Sequence, residues 1–512
     1  MSDNKRIAKN TIFLYFRMLL IMGVQLYTSR VILATLGVED FGIYNVVGGI
    51  VVMFTTLCGS LGSATSRYIT FELGRKNYER LSRVFNAAFI AHCAIALIIV
   101  LLCETVGLWL FYEKMIIPAD RMDAAFWVFQ ISILTTVFSV TQTPYNACII
   151  AHENMKIYAY VGIVEVVLKL AVVYALLISP IDKLVFYALL LCAVQVSIMM
   201  IYRYYCRHYE ESKLKLCKDI SLFKEIFTYA GSDMIGAISV LAQGQGLNIL
   251  LNIFFGPVVN AARAIAYQVQ SAVTQFSNNF FTAARPQIIK LYADGKVEEM
   301  MRLVYNSSWI SFYMLLMITL PLCYEHNFVL SLWLGEYPKY TGSFLILVLI
   351  LCLVQALKTP RSTIYHATGH ILRSNIMVGS VLCAAFPLAY LLLKLGGNPE
   401  SVFWAANISM IASEFVSIFI LKRYINYSIT SYLFNIHGRC LLVSILAAAL
   451  LCFMQRLFEP GLMRVIIISI SSVIIVGFLA YTIGINAHLR AGLKRTLSST
   501  YKCNFLGADN KQ

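Results

Sequence analysis

Charged residues are scarce in this chain. Of 512 residues only 13% are Asp, Glu, Lys or Arg, while 59% are hydrophobic and the mean hydropathy is +0.73. A soluble domain is about 25% charged and 45–50% apolar, so a string of soluble domains, which the length alone would suggest, is excluded. Acidic groups are the scarcer sign, 26 against 41 basic, for a formal charge of +15. Clustered cysteines are missing too. The 13 cysteines are scattered singly, mostly in apolar runs, and none forms a CxxC pair. Zinc ribbons and disulfide frameworks need clustering, so the cysteines read as small core residues. A G-x-x-x-x-G-K-[ST] loop is also absent, which excludes P-loop ATP hydrolysis.

What the chain has instead is apolar runs. A bilayer core of about 30 Å needs about 20 mostly apolar residues per helix. Fourteen stretches qualify: 10–34, 41–65, 84–111, 124–149, 157–179, 184–205, 226–254, 257–284, 303–324, 341–364, 373–395, 401–421, 439–456 and 463–486. The seventh and eighth are the most polar, being rich in Gln and Asn. The basic start (Lys5, Arg6, Lys9) precedes a run that contains Arg17 and lacks a small-residue cleavage site. It reads as a retained first helix rather than a signal peptide. With the N-terminus inside, most of the 41 Lys and Arg fall on inner segments. That bias predicts a multi-pass protein of the plasma (cell inner) membrane with both termini cytoplasmic.

The sequence repeats itself. Phe85-Asn86-Ala87-Ala88-Phe89-Ile90 matches Tyr305-Asn306-Ser307-Ser308-Trp309-Ile310. Leu108-Trp109-Leu110 matches Leu332-Trp333-Leu334, and Thr143-Pro144 with Ala151 matches Thr359-Pro360 with Ala367. Three matches in one order predict two related six-helix bundles, 1–206 and 225–423. A cytoplasmic linker, 207–224, joins them, and 424–512 adds two helices and a cytoplasmic tail. An even number of spans gives both halves one orientation, so their pseudo-axis lies along the membrane normal. Two such bundles around a central cavity are transporter architecture.

Charges inside spans cost about 2.5–3.5 kcal/mol each at the bilayer centre on insertion scales, so each needs a reason. They are Arg17, Glu104, Glu165, Lys169, Asp233, Arg263 and Glu414, with Arg30 near an outer end. Glu104 lies close to the outer surface. Glu165 and Lys169, four apart, can neutralise each other; Arg17 and Asp233, two turns into the first helix of each half, can pair across bundles. The eighth stretch carries the clearest pattern. Asn260, Arg263, Tyr267, Gln270, Thr274 and Asn278 fall at steps of three and four, on one helical face. Such a face either packs through hydrogen bonds or lines a watery lumen holding a cation. The preceding helix offers Ser232, Gly236, Ser239, Gln243 and Gly246 at the same spacing, a small-residue seam. Its Gln243-Gly244-Gln245-Gly246 is a candidate for local unwinding. Cations in a membrane cavity suit an anion such as phosphate, whose oxygens Arg binds bidentately. The carboxylates Glu165, Asp233 and Glu414 are candidates for carrying H⁺ or Na⁺.

Several motifs together resemble a known family. They are the 6+6+2 layout, Gly37-Val38-Glu39-Asp40-Phe41-Gly42-Ile43-Tyr44 between the first two helices, and Arg67 ending the second. Asn260-Ala261-Ala262-Arg263-Ala264 and Leu332-Trp333-Leu334-Gly335 belong with them. The chain resembles, over essentially its whole length, the polysaccharide flippases of the MOP exporter superfamily, above all the O-antigen (Wzx-type) translocases. The resemblance implies an all-α MATE/MOP-like membrane fold without catalytic residues, metal or cofactor. It implies a polyprenyl-pyrophosphate-linked oligosaccharide, an O-antigen or capsular or exopolysaccharide unit, moved from the inner to the outer leaflet. Basic residues would engage the anionic head group; Arg17, Arg30, Arg263 and Lys169 are the positions here. The implied partners are the lipid-linked oligosaccharide, membrane lipids, H⁺ or Na⁺, and the polysaccharide assembly machinery.

Two rivals remain at this point. A multidrug or cation antiporter of the same superfamily would favour acidic cavity residues. An integral-membrane glycosyltransferase or polymerase would need catalytic acids and a sizeable outer domain. The outer links, around 112–123 and 325–340, are too short for one. His92, His366 and His370 form no pair with zinc geometry and read as packed or interfacial. The charge of +15 is a topology signal, not a nucleic-acid footprint.

Overall fold

The computed structural model describes residues 2–152, 154–179, 181–215, 219–368, 371–486 and 490, with side chains inside the first helix described from residue 22. Every regular element among the described residues is helical. Apolar runs of some twenty residues favour this, because in lipid the backbone N–H and C=O groups must be satisfied internally and a helix does so within one segment. Twelve helices among the described residues are long and apolar enough to cross a membrane. The protein is therefore a multi-pass membrane protein. The twelve differ from the expected fourteen at two places. One stretch, Met22–Thr55, takes in parts of the first two expected spans, 10–34 and 41–65, and the polar helix Pro257–Ala293 falls short in hydropathy.

Helix limits follow local chemistry. The stretch Ser2–Gly74 is two helices parted at Gly37, whose φ of 84° and ψ of 169° suit a residue without Cβ. Five residues on, a Cβ on Gly42 would lie 2.0 Å from the Pro257 carbonyl oxygen, so glycine is required there for close approach. Asp40, between the two glycines, accepts from Arg121 Nε at 2.8 Å and Nη2 at 2.5 Å. Thus the 37–44 motif makes a break, a pair and a contact. The second helix runs on to Gly74, so Arg67 lies two turns before its end rather than closing it. Capping side chains start other helices: Asn77 accepts from the Arg80 amide, Asp182 from Leu184 and Val185, and Asp219 from Ser221 and Leu222. Among the described residues, π-helical turns interrupt helices at Cys103–Gly107, Ala242–Gly246 and Leu433–Gly438, and a fourth, Ala480–Gly484, ends one. In each, the i→i+5 pattern widens the helix by one residue.

The chain forms two compact units. One comprises Met1–Gln268, Trp333–Phe344 and Asn375–Ser409; the other comprises Val269–Leu332, Leu345–Ser374 and Met410–Gln512. In the first, the 38–74, Met122–Ala151 and Lys183–Cys206 helices pack around buried Ile43, Val47, Ile50 and Phe129. Arg121 closes one end of this unit by binding Asp182 as well as Asp40, with Nη1 2.6 Å from Asp182 Oδ2. At another end, Asn86 ties down the linker expected at 207–224. It donates to the Lys213 carbonyl at 3.2 Å and accepts from the Lys215 amide at 2.6 Å. In the second unit, Val297–Tyr324 packs on Arg439–Gln455 and Leu462–Leu479. Trp309, fully buried, donates to the Asn435 carbonyl at 3.0 Å, and Ser472 donates to the Met317 carbonyl at 3.0 Å.

Candidate functional site

The polar face of Pro257–Ala293 is built against the end of the helix before it. Asn260 is fully buried and donates to the Asn248 carbonyl at 2.7 Å and to its side-chain oxygen at 2.8 Å. One turn on, Arg263 is 6% exposed, donates from Nη2 to the Gly244 carbonyl at 2.7 Å, and stacks 3.9 Å over the Tyr267 ring. Gly244 belongs to the π-helical turn Ala242–Gly246. The Gln-Gly-Gln-Gly run thus widens the helix by one residue without unwinding it. Gln243 donates to the Ala406 carbonyl at 3.2 Å, which anchors the turn. Further along the face, Thr274 turns its hydroxyl back to the Gln270 carbonyl at 2.8 Å. Hydrogen-bonded packing therefore describes the Asn260 end of this face.

Buried charge separates Arg263 from its neighbours. Among the described residues the buried ionisable acids and Arg are Glu72, Glu211, Glu325, Glu414, Arg263 and Arg361. Four of them have an opposite partner, and Glu211 has a histidine. Arg80 lies 3.3 Å from Glu72, His152 2.5 Å from Glu211, and Arg464 2.9 Å from Glu325. Arg361 holds Glu414 through two N–H donors, one of them at 2.6 Å. Arg263 joins no ion pair among the described residues; a carbonyl and an aromatic face are what it has. A buried charge without a counter-charge costs several kcal/mol, so a fold that keeps one has a use for it or an anion to offset it.

The other expected residues fall into three groups. Arg30 is exposed on the first helix. Lys169 and Glu165 form the i,i+4 pair, 2.6 Å apart, with both side chains more than a third exposed. Glu414 is 2% exposed, and His437 Nε2 approaches its Oε1 to 3.2 Å beside the Arg361 pair. Arg17, Asp233 and Asn278, together with His366 and His370, lie outside the residues whose side chains are described. His92 is packed, fully buried with Nδ1 2.8 Å from the Ala88 carbonyl. Sequence reading missed Arg361 and Lys358, although both fall within the tenth stretch, 341–364. The helix there continues to Thr368, which carries both inside it. Lys358 donates to Ser413 Oγ at 3.2 Å, next to Glu414. A usable signal was the repeat itself, since both residues flank the Thr359-Pro360 match.

Comparison with known proteins agrees with this geometry. The family described as "Polysaccharide biosynthesis protein" matches residues 7–292, and the chain belongs to that family. No curated protein matches the chain. Among solved structures, a lipid II flippase, MurJ, in an inward closed conformation is similar with a TM-score of 0.68 at 12% identity, covering 92% of this chain and 98% of its own. An inward-facing multidrug resistance MATE family transporter of the MOP superfamily is similar with a TM-score of 0.61 at 14% identity, covering 78% and 97%. A MOP superfamily transporter from Pyrococcus furiosus, titled for the reversed polarity of its binding pocket, gives 0.57 at 15%, covering 81% and 94%. At these identities the likeness is one of fold: the chain has the MOP/MATE-like all-helical membrane architecture.

Proposed function

We propose that the protein is a flippase that carries a polyprenyl-pyrophosphate-linked oligosaccharide from the inner to the outer leaflet by alternating access. The barrier to unassisted flip-flop is the passage of a charged, sugar-bearing head through hydrocarbon, where every polar group is penalised. A polar path holding a cation lowers it while the prenyl tail stays in lipid. Arg263 carries the reading: it is buried and lacks a carboxylate partner among the described residues. A guanidinium has five N–H donors, so the bond to Gly244 leaves donors for phosphate oxygens. Family membership in polysaccharide biosynthesis and the fold shared with a lipid II flippase support the same substrate class.

The reading includes fourteen crossings, arranged as halves 1–206 and 225–423 with two further helices. Splitting the Met22–Thr55 stretch at Gly37 and adding Pro257–Ala293 brings the twelve apolar stretches to that count. Arg17, Arg30 and Lys169 are proposed as further head-group contacts and Asp233 as an ion-coupling site. Glu165 and Glu414 take that role less readily, since each already holds a cation. The protein acts as a transporter rather than an enzyme and resides in the inner membrane with cytoplasmic termini. The deciding experiment deletes the gene and examines lipid-linked oligosaccharides on the cytoplasmic face. Accumulation of one species, relieved by the wild-type gene, is the expected result; unchanged lipid-linked glycans together with raised drug sensitivity would favour the multidrug antiporter instead.

A further inference from the structure

We propose that Cys148, His152 and Glu211, with Cys206 beside them, form a binding site for a borderline-soft divalent cation of the zinc class. Cys148 and His152 are four residues apart at the end of the Met122–Ala151 helix, so both side chains leave one face. Glu211 comes from the short turn Glu210–Ser212, and Cys206 is the last residue of Lys183–Cys206. The Cys148 sulfur, a His152 ring nitrogen and a Glu211 carboxylate oxygen all lie within 4.8 Å of one another. Sequence reading had no route to this, because the donors come from two regions and include no CxxC pair.

The donor spacings are close to those a tetrahedral cation imposes. Zinc bonds of about 2.0–2.3 Å in a tetrahedron place neighbouring donor atoms roughly 3.3–3.8 Å apart. Cys148 Sγ to Glu211 Oε1 is 3.6 Å, already at that spacing. His152 Nε2 to the same oxygen is 2.5 Å, a hydrogen bond that must open by about 1 Å when a cation replaces its proton. Cys206 ends the neighbouring helix, where its Sγ donates to the Tyr145 carbonyl at 3.5 Å. Thiolate, imidazole and carboxylate together are a zinc-type donor set, whereas calcium and magnesium take oxygen alone.

The surroundings hold these donors still. The His152 ring stacks on Tyr209 with centroids 4.0 Å apart and planes 7° from parallel. Asn154 donates to the Tyr205 and Tyr209 hydroxyls at 2.9 and 3.0 Å, which fixes the stacking partner. Such outer contacts orient metal ligands in known sites. Cys148 and Glu211 are buried, and His152 is half-buried, giving the cation an entry side.

The test uses the full chain in detergent, stripped by a chelator under reducing conditions and titrated with Co²⁺ alone. One equivalent should bind with a thiolate-to-cobalt charge-transfer absorption, and Zn²⁺ should displace it. Cys148→Ser should abolish that absorption, His152→Ala should weaken binding at least tenfold, and Cys452→Ser, at a half-buried thiol of the second unit, should leave both unchanged. The wild-type spectrum decides the matter even if a variant fails to fold. No charge-transfer absorption in the wild type, or an equally strong one in folded Cys148→Ser, would overturn the proposal.

Discussion

At the scale of single residues, the contrast is between charges that are matched and one that is not. Replacing Arg263 by Ala removes the unmatched cation. Hydrogen bonds to charged groups are worth about 1.5–3 kcal/mol, so export should slow roughly tenfold or more while the protein stays in the membrane. The measurement is accumulation of the lipid-linked oligosaccharide, with membrane abundance followed in parallel; wild-type export would remove Arg263 from the mechanism. Glu414 predicts the opposite kind of result. Its buried pair with Arg361 makes Glu414→Gln destabilising by about 3–5 kcal/mol, because a buried guanidinium is left alone. Glu165→Gln, breaking an exposed pair with Lys169, should cost no more than about 0.5 kcal/mol in the same thermal-unfolding assay. Asp182, at a helix start, adds a pH dependence. Burial raises its pKa, but Arg121 and the Val185 and Leu184 amides outweigh that and hold it below the ordinary carboxylate value. A depressed carboxylate stabilises the fold at pH above its unfolded-state value and loses that contribution as pH falls through the folded one. Unfolding temperature should therefore drop on acidification below the usual carboxylate range, and less steeply in Asp182→Asn.

At the scale of elements, two glycines in one helix make a controlled comparison. A methyl on Gly42 would meet the Pro257 carbonyl at 2.0 Å, whereas one on Gly48 meets nothing within 4 Å. Gly42→Ala should lower the unfolding temperature or the membrane yield, and Gly48→Ala should leave both near wild type. These elements also mark where sequence reading succeeds. Apolar runs locate the helices because in a bilayer a helix satisfies its backbone within one segment, and the step of three and four placed Asn260, Arg263 and Tyr267 on one face. It fails where partners come from distant segments. Nothing near Glu414 in sequence announces Arg361, which lies 53 residues away on another helix. Likewise, the Gln-Gly-Gln-Gly run signals a weak helix, but only the backbone distinguishes a widened turn from an unwound one.

At the scale of the whole molecule, the excess of Lys and Arg makes a testable statement about sidedness. A fluorescent reporter fused after Gln512 should fold and emit in the cytoplasm, and alkaline phosphatase fused after Glu336 should be active outside. Active phosphatase at the C-terminus would invert the topology and every assignment of inner and outer links. The π-helical turn Ala242–Gly246 has a further consequence, best put as a matter of phase. A turn with one surplus residue lets the helices on its two sides keep their own angular register. Excising a single residue from 242–246 should close the turn to ordinary α-helix without rotating either flank, whereas the same excision a turn away shifts one flank by about 100°. The shortened protein should then insert and fold as before yet present Arg263 with a different carbonyl, which uncouples assembly from transport by deleting one residue and substituting none.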